Sequence, residues 1–293
     1  MQKLSDISVI KDILSRHGFH FSKALGQNFL INPSVCPRIA ELGGAREGVG
    51  VLEIGPGIGV LTVELAERAS RVAAVEIDER LLPVLDETLA PFDHTTVIHG
   101  DILKLDLAQL IREQFADMPV VVCANLPYYI TSPVLMALLE ARLPIESITV
   151  LVQKEAADRL TAEPGTRAAG AVSVAVRYFS KPQFLFGVSR GSFLPAPKVD
   201  SAVIRLDIRQ KPPVDVLDEA FFFRVARTGF AQRRKTAANS ISATLGLPKQ
   251  TVTDAMISAG IQPTARAEQL AMEQLAALAD ALLPVDGMEG EKR

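Results

Sequence analysis

Residues 49–66 read Val-Gly-Val-Leu-Glu-Ile-Gly-Pro-Gly-Ile-Gly-Val-Leu-Thr-Val-Glu-Leu-Ala. The apolar start, Val49 to Leu52, predicts a buried strand, and the run from Val60 to Ala66 predicts a helix. The glycines between them allow a tight turn and a close approach of the backbone to a ligand. This order of strand, glycine loop and helix predicts an α/β fold with a nucleotide-type binding site at the loop.

The spacing of the glycines separates two kinds of nucleotide loop. A dinucleotide-binding loop has the pattern G-x-G-x-x-G. Here the third glycine, Gly59, comes one residue early, and Val60 occupies the sixth position. This spacing, with Glu53 two residues before Gly55, resembles the S-adenosylmethionine loop of class I methyltransferases. The dinucleotide loop remains the second interpretation.

Two further strand ends carry acidic residues. The run Val72 to Val75 predicts a strand that ends at Glu76, and Thr96 to His99 predicts one that ends at Gly100-Asp101. An acid at the end of the second strand, about 20 residues after the glycines, suits the hydroxyls of a ribose. Asp101 is placed to accept a hydrogen bond from the amino group of a cofactor adenine. Each acid alone is also typical of an ordinary surface.

The tetrapeptide Asn125-Leu126-Pro127-Tyr128 follows the apolar run Val120 to Ala124, which predicts a buried strand ending at the motif. The Asn125 side-chain oxygen and the Leu126 carbonyl can accept hydrogen bonds from the two N–H groups of an exocyclic amine. Tyr128 offers an aromatic face for stacking a base. Two such acceptors favour a tetrahedral nitrogen and make its lone pair available. The alternative is a simple strand-to-loop turn with a packed tyrosine.

Charge is uneven along the chain. The 293 residues carry a formal net charge of −3, which by itself gives no support for nucleic-acid binding. Residues 220–253 nevertheless contain basic side chains and no Asp or Glu. Within this segment Arg233, Arg234 and Lys235 are adjacent, and we expect them to contact RNA phosphates. The alternative is a structural or solvated face.

The remaining composition predicts no metal site. Cys36 and Cys123 are the only cysteines, and neither they nor the four histidines show the spacing of metal ligands. No signal-peptide pattern and no long apolar segment occurs, so we expect a cytoplasmic protein without membrane association. We also expect a monomer.

The motifs together resemble those of the ribosomal RNA adenine N6-dimethyltransferases, most closely the bacterial 16S ribosomal RNA branch. The resemblance covers nearly the whole chain. The segments that carry it are Lys23–Leu30 (K-A-L-G-Q-N-F-L), Glu53–Gly59, Asn125–Pro133 (N-L-P-Y-Y-I-T-S-P), Gln153–Leu160, Phe193–Ser201 and Arg233–Thr236. One departure is Ala196, where the family often has proline.

The resemblance implies a methyl transfer from S-adenosylmethionine. The implied substrate is a pair of adjacent adenosines in a hairpin loop near the 3′ end of small-subunit ribosomal RNA, within a 30S assembly intermediate. The implied cofactor contacts are Asn28, Leu30, Gly55, Glu76, Asp101 and Asn125. Asn125, Leu126 and Tyr128 would hold the target adenine. Two alternatives stay open, a macrolide-resistance-type methyltransferase of 23S RNA and a non-catalytic RNA-binding assembly factor on the same fold.

The predicted organisation has two domains. Residues 1–210 are expected to form a class I methyltransferase domain with a seven-stranded, mostly parallel sheet. Residues 211–293, beyond Lys211-Pro212-Pro213, are expected to form a small all-helical domain that binds RNA. Phe184 to Val188 and Ala202 to Ile208 are expected to form a closing antiparallel pair of strands, with Phe193 to Ser201 as a loop between them.

Overall fold

The computed structural model of the protein describes residues 4–22 and 26–290. Lys23, Ala24 and Leu25, which begin one of the motif segments, lie outside the described residues. The strands are β1 (Phe29–Leu30), β2 (Gly50–Ile54), β3 (Arg71–Glu76), β4 (Thr95–His99), β5 (Val120–Asn125), β6 (Ile145–Gln153), β7 (Ser180–Val188), β8 (Phe193–Leu194) and β9 (Ser201–Ile208).

The helices follow the apolar periodicity of the sequence. They are α1 (Ile7–Arg16), α2 (Val35–Leu42), α3 (Val60–Ala66), α4 (Leu82–Leu89), α5 (Leu107–Phe115), α6 (Thr131–Glu140), α7 (Lys154–Leu160), α8 (Ala171–Phe179), α9 (Glu219–Phe230), α10 (Ala237–Leu245), α11 (Lys249–Ser258) and α12 (Met272–Gly290). Capping side chains fix several starts. Asp6, Asp106 and Asp218 each accept a hydrogen bond from a backbone N–H in the first turn of the following helix.

Within the described ranges, seven strands form one mixed sheet in the order β4-β3-β2-β5-β6-β9-β7. The strands β4, β3, β2, β5 and β6 run parallel to their neighbours, and β9 runs antiparallel to β6. The predicted seven-stranded, mostly parallel sheet is therefore confirmed. The central strands β2 and β5 are apolar almost throughout, as expected for strands covered on both faces.

The strand order reverses between β2 and β5. The chain moves outward from β2 through β3 to β4, and then returns to place β5 on the other side of β2. The register sets Ile54 at the end of β2 beside Ala124 near the end of β5. In open α/β sheets, ligands bind outside the carboxyl ends of the strands at such a switch point. The glycine loop and the Asn125 motif are therefore neighbours.

The predicted loop from Phe193 to Ser201 is partly wrong. Phe193 and Leu194 form β8, which pairs antiparallel with β1, with Phe29 opposite Leu194 and Leu30 opposite Phe193. The Ile31 N–H continues the contact by donating to the Ser192 carbonyl at 2.9 Å. A two-residue strand is too short to produce a readable alternation, so the sequence pattern gave no sign of it.

The chain divides into two compact units. The first extends to Ala157 and takes in Lys181–Ile208, and the second comprises Asp158–Ser180 and the chain from Arg209 onward. The predicted boundary at residue 210 lies close to this division. Residues 158–180, however, were assigned by sequence to the first domain and belong to the second unit. The roles of the two predicted domains in binding cofactor and RNA stay predictions.

Aromatic packing explains why residues 158–180 belong to the second unit. Tyr178 and Phe179 at the end of α8 lie against α9, with ring centroids 5.4 Å apart for Tyr178 and Phe222 and 5.3 Å apart for Phe179 and Phe223. The Tyr178 hydroxyl donates to Glu219 Oε2 at 2.9 Å. Burying such rings contributes about 1.5–3 kcal/mol each, so this cluster anchors α8 to the C-terminal helices.

No helix among the described residues has both the length and the apolar character needed to cross a membrane.

Candidate active site

One cavity of about 250 Å³ opens at the carboxyl end of the parallel strands. Its lining includes every residue predicted to contact cofactor or target base, namely Asn28, Leu30, Gly55, Glu76, Asp101, Asn125, Leu126 and Tyr128. These residues come from five separate stretches of sequence. The parallel sheet brings four of these stretches together because β2, β3, β4 and β5 all end at the same edge, and the fifth, with Asn28 and Leu30, belongs to the segment of β1.

Gly55 and Gly57 both have positive φ angles, which favour glycine, and Gly57 also leaves little room for a side chain. Gly55 has φ +70°, and a Cβ atom there would find no neighbour within 4 Å, so the position faces open space. Its N–H donates to the Val75 carbonyl at 3.0 Å, which holds the turn against β3. Gly57 has φ +61°, and a Cβ there would lie 3.0 Å from Phe29 Cε1. The loop thus presents bare backbone to the cavity and receives Phe29 on one side.

Glu76 connects two segments of the cavity wall. Its side chain is only 4% exposed, and its carboxylate accepts hydrogen bonds from the N–H groups of Gly57 at 3.2 Å and Asp78 at 2.8 Å. Burial raises the pKa of Glu76, while these two backbone donors oppose that shift. Each carboxylate oxygen has further lone pairs, so the group can still accept bonds from ligand hydroxyls.

Asp101 lies at the end of the neighbouring strand. The Gly100 N–H donates to the Glu76 carbonyl at 2.9 Å, which ties the ends of β3 and β4 together. Asp101 Oδ1 accepts from the Leu103 N–H at 3.1 Å, and the Lys104 ammonium lies 3.6 Å from Oδ2. The carboxylate is half-buried at the cavity wall, where it can accept a hydrogen bond from the exocyclic amino group of an adenine ring.

Asn125 is oriented by the N-terminal segment of the protein. Its Nδ2 donates to the backbone carbonyl of Asn28 at 3.3 Å, and Asn28 Nδ2 in turn donates to the Gly26 carbonyl at 2.8 Å. Because the amide nitrogen of Asn125 is engaged, its carboxamide oxygen is the part left to accept a bond from a ligand. Leu126 follows with its side chain 1% exposed, which anchors the backbone that carries the second acceptor.

Tyr128 is held by Ser201, for which the sequence predicts no role. Its hydroxyl lies 2.7 Å from the Ser201 hydroxyl, and Ser201 is 1% exposed at the start of β9. Burial raises the pKa of Tyr128, so its hydroxyl stays protonated at neutral pH. The contact joins residues 73 positions apart, and no local pattern signals it. The motif segment that ends at Ser201 therefore positions the aromatic ring.

Replacing Tyr128 tests the stacking role. We expect Tyr128→Ala to weaken capture of the target base by about 1–3 kcal/mol, the usual value of base–aromatic stacking. Tyr128→Phe keeps the ring face and loses only the bond to Ser201, which contributes about 0.5–1.5 kcal/mol. The measurement is kcat/KM for methyl transfer, with melting temperatures of both variants as a control for folding. If phenylalanine were as damaging as alanine, the hydroxyl would be the functional group.

Glu53 is the most deeply buried acid of the cavity. It is 1% exposed, and its Oε2 has no hydrogen-bond partner among the described residues. Burial raises the pKa of Glu53 to about 8, the Glu76 carboxylate adds to the shift, and the Thr62 hydroxyl opposes it. Glu53 is therefore predominantly neutral at pH 7 in this structure.

The raised pKa of Glu53 predicts a pH-dependent stability. In the unfolded chain Glu53 releases its proton above its ordinary pKa of 4.5, whereas in the folded protein it keeps the proton up to about pH 8. The contribution of this bound proton to the stability of the fold is therefore complete below pH 4.5 and is lost as the pH rises through about 8. Relative to Glu53→Gln, the melting temperature of the unmodified protein should fall between pH 5 and pH 8.5. Thermal unfolding at several pH values measures this. Replacing the exposed Glu41 by glutamine is the control. If the melting temperatures of Glu53→Gln and of the unmodified protein changed with pH in parallel, the raised pKa of Glu53 would be contradicted.

The predicted RNA-contact residues are not part of this cavity. Arg233, Arg234 and Lys235 are exposed in the turn between α9 and α10, in the second compact unit. Arg233 Nη2 lies 3.5 Å from the Arg167 carbonyl in the same unit. Gln27 and Phe29 also line the cavity, although their place in the sequence predicts no ligand role for them. Gln27 Nε2 donates to Asp78 Oδ2 at 2.8 Å, a long-range contact without a local signal.

The sheet order, the glycine loop at the switch point and the acids at successive strand ends define a class I S-adenosylmethionine-dependent methyltransferase. Similar solved structures agree with this fold. The 23S rRNA methyltransferase ErmE is 31% identical with a TM-score of 0.66, over 87% of this chain and 99% of that one. A dimethyladenosine transferase from Plasmodium falciparum, 24% identical with a TM-score of 0.69 over 89% and 98% of the two chains, shares the fold.

Sequence comparison gives the family. The family described as "Ribosomal RNA adenine dimethylase" matches residues 18–283. A relative from Anoxybacillus flavithermus named "Ribosomal RNA small subunit methyltransferase A" is 48% identical over 279 residues, 94% of this chain and 95% of the relative. A relative of the same name from Bacillus mycoides is 48% identical over 97% of this chain and 98% of its own length. The chain belongs to the ribosomal RNA adenine dimethylase family and uses S-adenosylmethionine to dimethylate adenine in ribosomal RNA.

Proposed function

We propose that the enzyme dimethylates the N6 amino groups of two adjacent adenosines in a hairpin loop near the 3′ end of small-subunit (16S) ribosomal RNA. The names of the relatives, which specify the small subunit, support this choice of RNA. The substrate particle is a 30S assembly intermediate, and the enzyme acts on it as a monomer in the cytoplasm. Four methyl groups are transferred in total, two to each adenosine.

The residues of the cavity fit the methyl donor. The open space at Gly55 admits a ligand against bare backbone, and the buried Glu76 carboxylate retains acceptor capacity for ribose hydroxyls. Asp101 accepts from the adenine amino group, and Asn28, Leu30 and Asn125 complete the contacts. When bound, S-adenosylmethionine supplies a methyl group on a sulfonium, from which a neutral thioether is a good leaving group.

The target adenine is held by Asn125, Leu126 and Tyr128. In the first transfer the carboxamide oxygen of Asn125 and the carbonyl of Leu126 accept hydrogen bonds from the two N–H groups of the exocyclic amine, and in the second transfer one N–H group remains to donate to them. The Tyr128 ring stacks on the base in both. The nitrogen lone pair of adenine is normally delocalised into the ring. Two acceptors that favour a tetrahedral, partly positive nitrogen stabilise the geometry needed for attack on a methyl group.

One observation carries this proposal. The Asn125 carboxamide is fixed by Asn28, a predicted cofactor contact, in the same cavity as the glycine loop. The base-holding acceptor and the cofactor segment are thus joined by a direct hydrogen bond. Such a link aligns the two reactants, and alignment is the main contribution that an enzyme makes when the leaving group is already activated.

Methyl transfer from labelled S-adenosylmethionine to undermethylated 30S particles tests the proposal. We expect N6-dimethyladenosine in the product nucleosides, at two adjacent positions located by primer extension. Undermethylated 50S particles serve as the parallel substrate, because ErmE, to which the chain is similar, is a 23S rRNA methyltransferase. Labelling of 50S RNA alone would favour that alternative, and absence of labelling in both would favour a non-catalytic assembly factor.

The exposed basic turn at Arg233, Arg234 and Lys235 is proposed to contact RNA phosphates. Replacing all three by glutamine should weaken binding to 30S particles and reduce the slope of log K against log[salt] by about one unit per lost phosphate contact. A filter-binding titration at several salt concentrations measures the slope, and calorimetry should show unchanged cofactor affinity.

A matched control removes the same charge elsewhere. Lys11, Arg112 and Lys181 are exposed and scattered, so their triple glutamine variant should keep most of the original salt slope. The competing interpretation assigns the basic turn a structural role. It predicts a lower melting temperature with an unchanged salt slope, and that combination would refute the RNA contact.

A further inference from the structure

Tyr129 is an exposed aromatic residue at the rim of the active-site cavity. It lines the cavity beside Tyr128, yet 58% of the residue is accessible to solvent. Aromatic side chains are usually well buried, because they remove a large apolar area from water. An exposed ring at the mouth of a base-binding site therefore calls for a functional explanation.

The Tyr129 ring lies beside the backbone of Gly26. A Cβ atom built on Gly26, which has φ +60°, would lie 3.4 Å from both Cδ1 and Cε1 of Tyr129 and 3.7 Å from Pro127 Cβ. The absence of a side chain at Gly26 thus leaves room for the Tyr129 ring beside the backbone, while the rest of the ring remains open to solvent.

The two consecutive tyrosines face different surroundings. Both belong to a single 3₁₀ turn, Tyr128–Ile130, in which neighbouring side chains point about 120° apart because the turn has three residues. Tyr128 reaches inward to the buried Ser201, whereas Tyr129 stays at the rim. Because the two residues are consecutive and both line the cavity, a base beside Tyr128 and the base next to it in the RNA can each meet one ring.

We propose that Tyr129 is the stacking platform for the nucleotide adjacent to the target adenine. This proposal rests on the proposed function, in which the two modified adenosines are neighbours. When one adenine occupies the Tyr128 pocket, the other must lie at the cavity mouth. Stacking depends on the π-face and tolerates any base, including a dimethylated adenine that has lost both amino protons. The same platform therefore serves whichever adenosine is the neighbour, in both rounds of modification.

A cycle of enzyme and RNA substitutions tests the platform. The substrates are 30S particles reconstituted with 16S RNA in which one adenosine of the pair is replaced by guanosine, with a large stacking face, or by uridine, with a small one. The unmodified enzyme should methylate the remaining adenosine several-fold faster, by kcat/KM, beside guanosine than beside uridine. Tyr129→Ala should lower kcat/KM beside guanosine roughly 5- to 100-fold and remove most of this preference. Tyr129→Phe should keep it.

The substitution Tyr129→Leu separates stacking on a base from packing of the side chain beside Gly26. Leucine keeps an apolar side chain beside Gly26 but has no π-face. Its kcat/KM values on the guanosine and uridine RNAs should therefore resemble those of the alanine variant. Cofactor affinity and melting temperature should stay close to those of the unmodified protein. An equal loss of kcat/KM on both RNAs, or a loss of cofactor affinity with the preference intact, would overturn the proposal. Failure of the unmodified enzyme on the original RNA pair would instead refute the proposed function.

Discussion

Replacing Asn125 by alanine is expected to lower the single-turnover rate of methyl transfer roughly 100- to 1000-fold, the usual cost of removing one preorganised hydrogen-bonding group from a reacting centre. The substitution removes the carboxamide oxygen that accepts one N–H of the target amine. It also removes the donor to the Asn28 carbonyl, which lies 3.3 Å away. The measurement is a single-turnover assay with labelled cofactor and 30S particles.

Asn125→Asp is the matched control for this prediction. A carboxylate keeps the acceptor oxygen but cannot donate to the Asn28 carbonyl, so it tests the two parts of the side chain separately. If acceptance from the adenine amine dominates, the aspartate variant should be faster than the alanine variant. Both proteins should retain a cooperative thermal transition, and near-normal turnover by the alanine variant would contradict the assignment of Asn125.

The second large effect is expected at Glu76. Glu76→Ala should weaken cofactor binding by on the order of 1–3 kcal/mol, since it removes a buried acceptor for ligand hydroxyls. In affinity this corresponds to roughly a 5- to 150-fold rise in Kd, measured by calorimetry. The same experiment should detect no tight binding of NAD, because the spacing of the glycines fits the methyl donor. Tight NAD binding without methyl-donor binding would refute this interpretation.

Glu76 also holds the Gly57 and Asp78 N–H groups, so its loss disturbs the protein as well as the ligand contact. An analogue of S-adenosylhomocysteine that lacks the ribose hydroxyls separates the two effects. The unmodified protein should bind this deoxy analogue more weakly than S-adenosylhomocysteine, whereas Glu76→Ala should bind the two alike. A preference that survives the substitution would show that Glu76 does not contact the ribose.

The parts of the fold that the sequence predicted are those with strong local patterns. The helix from Val60 to Ala66 begins and ends as predicted, and the strand at Val120 extends only one residue further than expected. These segments have clear periodicity, glycine or proline boundaries, and enough length for the pattern to repeat. The cavity followed from them, because parallel strands that end in functional residues must bring those residues to one edge.

The parts that could not be predicted depend on contacts between distant residues. The bond between Tyr128 and Ser201 and the pairing of Phe29 with Leu194 join segments with no shared pattern. Helix α8, Ala171–Phe179, was not predicted, and its grouping with the second compact unit depends on aromatic packing against α9. Tertiary packing of this kind leaves no trace in a local window of sequence.

The short sheet formed by β1 and β8 has a consequence for how ligands enter and leave. It contains two residue pairs, Phe29 with Leu194 and Leu30 with Phe193, and β1 directly lines the cavity. A ladder this small opens at a far lower free-energy cost than the seven-stranded sheet behind it. Amide hydrogens in this pair should therefore exchange with solvent much faster than those of β2 and β5, and should become protected when the methyl donor is bound.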